Sequence, residues 1–166
     1  MAEGTTDRPA VRVRQIDPSP DSRALSTLDR VDYTDAFTLD PGTGPARDRT
    51  PEQWARAVIE GAPASMRRQL RLGWQGLGLR LGPARSAQRV LGWEIRRSTQ
   101  DFVLLGAGSR IGMPGELLFR RDRDGLLFAT FVQQRNPLAR LLWARVTPAH
   151  QRIVRSLLIR AATGGC

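Results

Sequence analysis

The chain has no lysine, one histidine, one cysteine, and no apolar run approaching the ~18–20 residues that span a bilayer. Each shortage removes a class of function. Cys166 is both the only cysteine and the last residue, so no internal disulfide can form, as suits a reducing compartment. It does not stand four residues from the end, as a prenylation box requires. One histidine and one terminal cysteine cannot surround a metal ion, so neither a metal nor a cofactor is expected. The opening Met-Ala-Glu-Gly-Thr-Thr-Asp-Arg-Pro lacks the apolar core of a signal peptide, and a soluble, cytoplasmic protein is expected.

What is present reads as one globular domain. At 166 residues the chain can bury roughly two-thirds of its unfolded surface. The formal charge is +10, and all 26 basic residues are arginine. With abundant Ala, Gly, Leu and Pro, that usage resembles a GC-rich coding bias, although its field would still attract anionic lipid or nucleic acid. The arginines fall in scattered pairs (Arg67-Arg68, Arg96-Arg97, Arg120-Arg121) and on the outer face of the last helical segment. A nucleic-acid site interleaves aromatics on one basic face. That pattern is missing, so nucleic acid is not the expected partner.

Residues 1–28 are rich in Pro, Ser, Asp and Arg and predict a disordered or loosely attached arm. Val31, Tyr33, Phe37 and Leu39 share one parity and predict a first strand, with Asp35 intruding on the apolar side. Thr50-Pro51-Glu52-Gln53 is a capping box, and Trp54 and Val58 mark the buried side of the helix it opens. After Gly61, Pro63 opens a second helix in which Met66, Leu70 and Trp74 recur every four residues. Four strand-like runs follow: one around Leu91, Trp93 and Ile95, then Phe102–Ala107, then one around Leu117 and Phe119, then Leu126–Gln134. Asp122-Arg-Asp-Gly125 is the hairpin signal between the last two. The periodicity then predicts a short helix over about 138–145 and a second one capped by Thr147 with Pro148 in its first position. The expected domain is 29–162 with a flexible tail at 163–166. Its fold class is α+β: a curved antiparallel sheet of five strands wrapped on a C-terminal helix, with two short helices after the first strand.

His150 is the sharpest chemical candidate. On a helical wheel it shares a stripe with Ile153, Val154, Leu157 and Ala161, opposite Arg152, Arg155 and Arg160. As the third residue of a new helix it would sit by the positive dipole end and stay neutral, able to donate and accept. Asp35, aimed inward, could orient it. Gly106-Ala-Gly108-Ser-Arg-Ile-Gly112 has the spacing of a dinucleotide fingerprint, but Met113-Pro114-Gly115 and another strand follow where a helix is needed, so nucleotide binding is rejected there. The large aromatics are core residues by default, and in a cavity fold some would line the pocket.

The segment Leu141-Leu142-Trp143 through Val146-Thr-Pro148-Ala-His150, with Ile153 and Val154, and the opening Asp32-Tyr33 to Phe37, resemble a bacterial group of the START-like, polyketide-cyclase (SRPBCC) superfamily. The resemblance covers about residues 30–162. It implies a helix-grip fold whose cup between sheet and terminal helix holds a hydrophobic or amphipathic small molecule. It also implies an association with a nucleotide-binding reductase in some settings. Trp93, Phe119, Phe131, Trp143 and Leu157 are the expected walls, with His150 as polar anchor. Two alternatives stand beside this binder. One is a small cyclase or hydratase using His150, and Asp35, for proton transfer. The other is a basic surface module that docks on nucleic acid or anionic membrane.

Overall fold

Nine strands pair antiparallel in one sheet, and a 26-residue C-terminal helix packs on one face of it, in a computed structural model that describes residues 10–123 and 125–164. In chain order the elements are β1 (Arg12–Ile16), α1 (Pro20–Arg23), β2 (Tyr33–Asp40), a 3-10 turn (Pro45–Asp48), α2 (Pro51–Ile59) and α3 (Ala64–Gly76). Then come β3 (Leu79–Arg80), β4 (Arg85–Ser86), β5 (Arg89–Val90), β6 (Trp93–Ser98), β7 (Phe102–Ser109), β8 (Gly115–Asp122), β9 (Gly125–Val132) and α4 (Pro137–Ala162). The sheet runs β1-β2-β9-β8-β7-β6-β5-β4, with β3 added on β7. The fold is therefore α+β with a curved antiparallel sheet and a C-terminal helix. Four of the strands are two or five residues long and carry too little periodicity to be read beforehand, which is why five were expected.

The capping signals act as their chemistry dictates. Thr50 accepts from the Gln53 N–H while Gln53 Oε1 accepts from the Thr50 N–H, and Pro51 fills the first turn of α2, where an N–H is not needed. Trp54, Ala55, Val58 and Ile59 are buried against β7 and β8. The β8–β9 hairpin closes between Asp122 and Gly125. Gly125 has φ 153°, and a Cβ there would collide with the Leu39 carbonyl of the neighbouring strand, so glycine is required.

The C-terminal segment departs from its prediction. Asn136, not Thr147, caps it, accepting from the Ala139 N–H at 2.8 Å, and α4 then runs unbroken through Pro148. An interior proline costs about 3 kcal/mol, but both halves of α4 are anchored by burial. Ala139 and Trp143 pack with Met113 and Val132; Val154, Leu157, Leu158 and Ala161 join the main core. Thr147 Oγ1 donates to the Trp143 carbonyl at 2.8 Å beside the interruption. His150 is thus mid-helix and not beside the positive end of a helix dipole, where the expected break at Pro148 would have placed it.

The expected loose arm is also corrected over its described part. Residues 1–9, Asp124 and residues 165–166 lie outside the described residues. Arg12–Ile16 forms the edge strand β1 on β2, and the chain then crosses the outer face of the sheet. There Ile16, Leu25, Leu28 and Val31 cover Ala36, Phe102, Leu104, Leu118, Leu127, Ala129 and Phe131. Its polar composition hid this because the docking depends on a buried carboxylate. Glu116, with no exposed surface, accepts from the Ser26 hydroxyl (2.5 Å), the Thr27 N–H (3.0 Å), the Thr27 hydroxyl and Arg96 Nη1 (2.8 Å). Arg96 reaches it by lying across Gly106, which stands between Glu94 and Glu116 in the sheet register, and a Cβ at 106 would collide with the guanidinium.

Glu116→Ala strands Arg96 and the Thr27 N–H and is expected to lower unfolding free energy by about 2–4 kcal/mol. Gly106→Ala should give a smaller loss of the same kind. Urea denaturation measures both, and limited trypsin digestion should cut the variants after Arg23 or Arg30 before it cuts the intact protein.

Candidate functional site

The face of the sheet that carries the helices is filled unevenly. At one end Phe37, Leu39, Trp54, Val58, Phe119, Leu126, Phe128, Leu157 and Leu158 make a solid core, with Phe119 and Phe128 ring centroids 5.0 Å apart. At the other end a cavity of about 550 Å³ opens between the sheet, α3 and the middle of α4. Met66, Leu70 and Trp74 of α3 form one wall; Trp143, Val146, Ala149 and Ile153 of α4 form another. Trp93, Leu117, Thr130 and Val132 lie on the floor, and Gln69, Arg152 and Ser156 are the polar groups of the exposed rim. The α3 wall is incompletely packed: its apolar stripe faces the core, yet no residue of the helix is fully buried. Space is left because Gly73, Gly115 and Ala149 supply little volume where a solid core would need large side chains. The volume lies in the range of small-molecule sites, about 300–1,000 Å³. A second hollow of about 290 Å³, beside the 3-10 turn, mixes the charged side chains of Arg47, Asp48, Arg49, Arg121, Asp122 and Arg123 with Pro51, Trp54 and Leu126.

Of the expected walls, Trp93, Trp143 and His150 line the cavity. Phe119 and Leu157 are on the correct face but lie in the solid end. Phe131 is corrected: it stands opposite Glu116 and packs under the N-terminal arm, on the other face of the sheet. The period-2 rule already separates it from Phe128, whose face is the inner one.

His150 and Asp35 are brought together. Nε2 of His150 is 3.4 Å from Asp35 Oδ2 and 3.1 Å from Thr130 Oγ1. Asp35 and Thr130 are direct cross-strand partners in the β2–β9 register. The Tyr33 hydroxyl donates to Asp35 Oδ2 at 2.6 Å and accepts from Gln151 Nε2 at 3.1 Å. Trp143 braces the group, its ring centroid 5.2 Å from Tyr33 and 5.1 Å from His150. Thr130, Tyr33 and Gln151 were missed from the sequence. Thr130 carried a legible signal, being the one polar residue on the parity of Leu126, Phe128 and Val132, as Asp35 is on that of Phe37 and Leu39.

The electrostatics follow from this geometry. Burial alone would raise the Asp35 pKa, but the hydrogen bond and charge of His150, with hydrogen bonds from Tyr33 and Thr130, hold it below the ordinary carboxylate value. Burial first, and then the hydrogen bond to Asp35, push the Tyr33 hydroxyl above its usual value, so it keeps its proton and remains a donor. In the neutral form of the ring, an ionised Asp35 against Nε2 favours the tautomer that carries its proton there and leaves Nδ1 as an acceptor. Nδ1 has no hydrogen-bond partner among the described residues, on a ring that lines the cavity and is 16% exposed. Asp35 and Thr130 crowd the same nitrogen, so Thr130 cannot be the nucleophile of a triad that uses the opposite nitrogens of one imidazole.

Among the described residues no group of three or more His, Cys, Asp or Glu side chains is placed to hold a metal ion. Among them, too, no helix is long and apolar enough to cross a membrane. No protein family, curated protein or solved structure gives a significant match to the chain.

The sign of the Asp35 effect sets a pH dependence. A carboxyl whose folded pKa is depressed contributes stability that is complete above its unfolded value, near 4, and is lost as pH falls through the lower folded value. Asp35→Asn should therefore be destabilised at neutral pH, and its deficit relative to the intact protein should shrink as pH drops below about 4. Denaturant titrations across pH 2–7 measure the difference; a gap constant with pH would contradict the assignment.

Proposed function

We propose that this protein binds a small, predominantly apolar molecule in the cavity between the sheet, α3 and α4, as a helix-grip domain would, with His150 as the polar anchor. The observation that carries the reading is the apolar cavity of about 550 Å³ walled by Met66, Leu70, Trp74, Trp93, Trp143 and Ile153, with few polar groups facing it. Ligand sites have this composition: extended apolar walls with a few placed hydrogen-bonding groups. The half-buried stripe of α3 would complete its packing on a ligand, and Ile153, 45% exposed at the mouth, would be covered by one.

Two orphan donors lie behind the cavity walls. Trp93 and Trp143 bury their indole N–H groups without an acceptor among the described residues, and both tryptophans wall the cavity. A buried unpaired donor costs about 1–3 kcal/mol; neither nitrogen has surface open to the cavity, so a ligand oxygen would recover part of that only if a ring turned as the ligand entered. An apolar skeleton carrying one or two acceptor oxygens fits the site better than a pure hydrocarbon.

The reading is tested by native mass spectrometry of the purified protein, where a discrete added mass lost on denaturation is expected, and by melting against a panel of apolar ketones, fatty acids and phenols. A ligand present at about 100 times its dissociation constant should stabilise by roughly 2.7 kcal/mol. Ala149→Trp, which fills the space from α4, should abolish that shift while leaving the unliganded protein folded. If the plugged variant and the intact protein respond identically to every compound, the cavity is not a binding site.

A further inference from the structure

Resting on the binding reading, we infer that the cavity also holds a general base, His150 Nδ1, able to take a proton from an apolar carbon acid bound beside it. Three features place the base. The bare nitrogen belongs to a ring that lines an apolar cavity, where a small carbon acid would be stripped of water. Its opposite nitrogen lies against Asp35 and Thr130, which set the ring's orientation, and the Asp35 carboxylate favours a proton on that nitrogen. Asp35 is itself immobilised by Tyr33, whose hydroxyl is held in turn by Gln151. The result is a chain from Gln151 to Tyr33 to Asp35 to His150 that ends at the cavity. His150 is the catalytic residue, and Asp35 and Tyr33 are positioning residues.

The substrate class is a molecule with a C–H bond acidified by a neighbouring carbonyl. The C–H bond breaks and its proton bonds to Nδ1. The C–H electron pair becomes the carbon–carbon π bond of an enolate, and the carbonyl π pair moves to oxygen. The imidazolium formed is stabilised by the Asp35 anion. Where a carbon–carbon double bond stands β,γ to the carbonyl, the dienolate takes the proton back at its γ carbon and gives the conjugated isomer, so no oxidant, reductant or second substrate is required. Other charged and titratable groups near the ring are Tyr33, on the strand behind it, and Arg152, on the cavity rim.

The test uses 5-nitrobenzisoxazole, a small apolar heterocycle that needs only a base. Its ring C–H proton is removed, the pair forms a nitrile, and the N–O bond opens to give a coloured cyanonitrophenolate. The intact protein should turn it over at a kcat/KM at least about 100-fold above His150→Ala and His150→Gln, the range a positioned base supplies. Binding of the probe is followed in each protein by quenching of tryptophan fluorescence; losing the anchor weakens it in the His150 variants, so the deciding comparison is kcat at saturating probe, which should also fall at least about 100-fold. Asp35→Asn should lower kcat with little change in KM, and Asp35→Glu should restore part of it. Because His150 is the only histidine, its nitrogen-15 shifts report one ring. They should show the Nε2-protonated tautomer in the intact protein and a tautomer mixture in Asp35→Asn. Should the probe bind while intact protein and His150 variants react at equal rates, the base is overturned and the binding reading stands. Failure of the probe and of every panel compound to bind the intact protein would overturn both.

Discussion

One buried carboxylate decides how this sheet is used. Glu116 sits on the outer face with no exposed surface, satisfied by Ser26, Thr27 and Arg96. A charge is tolerated there only because every contact is a donor or a cation. Through it the segment before β2 is fastened across Leu104, Leu118, Leu127, Ala129 and Phe131, which would otherwise form an exposed apolar patch. With the outer face closed, the central strands can be apolar on both sides, and the inner face is free to be partly hollow. Gly106 belongs to the same device. The glycine spacing that imitates a dinucleotide fingerprint has a steric cause at this position, a slot for the Arg96 side chain.

The arginine excess is explained by similar contacts. Arg56 donates to the carbonyls of Ala87 and Arg89, Arg71 to those of Gly82 and Leu91, Arg67 to those of Glu60 and Ala62. Arg160 donates twice to the Gly61 carbonyl, and Arg49 to that of Ala161. A guanidinium presents several donors in a rigid fork and so can tie two loop carbonyls at once, which an ammonium cannot do with the same geometry. These fasteners hold the β4–β5 excursion and the ends of α2 and α4 where the backbone has no ladder partner. These five arginines therefore have a structural use, which their charge alone does not reveal.

Elements with strong local chemistry were legible in the sequence: the capping box of α2, the hairpin at Asp122–Gly125, and the apolar parity of β2 and β9. Asp35 on an apolar parity and His150 on an apolar stripe were each visible, but their meeting was not, because a bulge in the first strand would equally have turned the carboxylate to solvent. What escaped reading depended on distant contacts. The short strands β3, β4 and β5 are formed by pairing and not by pattern, since two residues carry no period. The continuity of α4 through Pro148 is a tertiary override, in which burial of Trp143 on one side and Leu157 on the other outweighs a local break. Phe131 was misplaced although its parity was visible, because an aromatic was assumed to belong to the one core then expected. The existence of a second apolar face follows from Glu116 and the arm, and neither is an apolar signal.

The cavity and the Asp35–His150 pair occupy the same stretch of the molecule, and each alone works against stability. Unfilled volume forfeits packing contacts, and a buried ionic pair is often less stable than apolar side chains of equal size. A sequence under pressure only to fold would fill the space beside Ala149 and Gly73 and replace Asp35 and Thr130 with large apolar side chains, as it does two residues away at Phe37 and Phe128. The other end of the same face shows that the chain can build a dense core on these strands. Departures from that standard cluster where function is located. Hollow space, orphan indole donors and an imidazole with one unpartnered nitrogen converge at one end of the sheet, and that coincidence is the ground for proposing a site there.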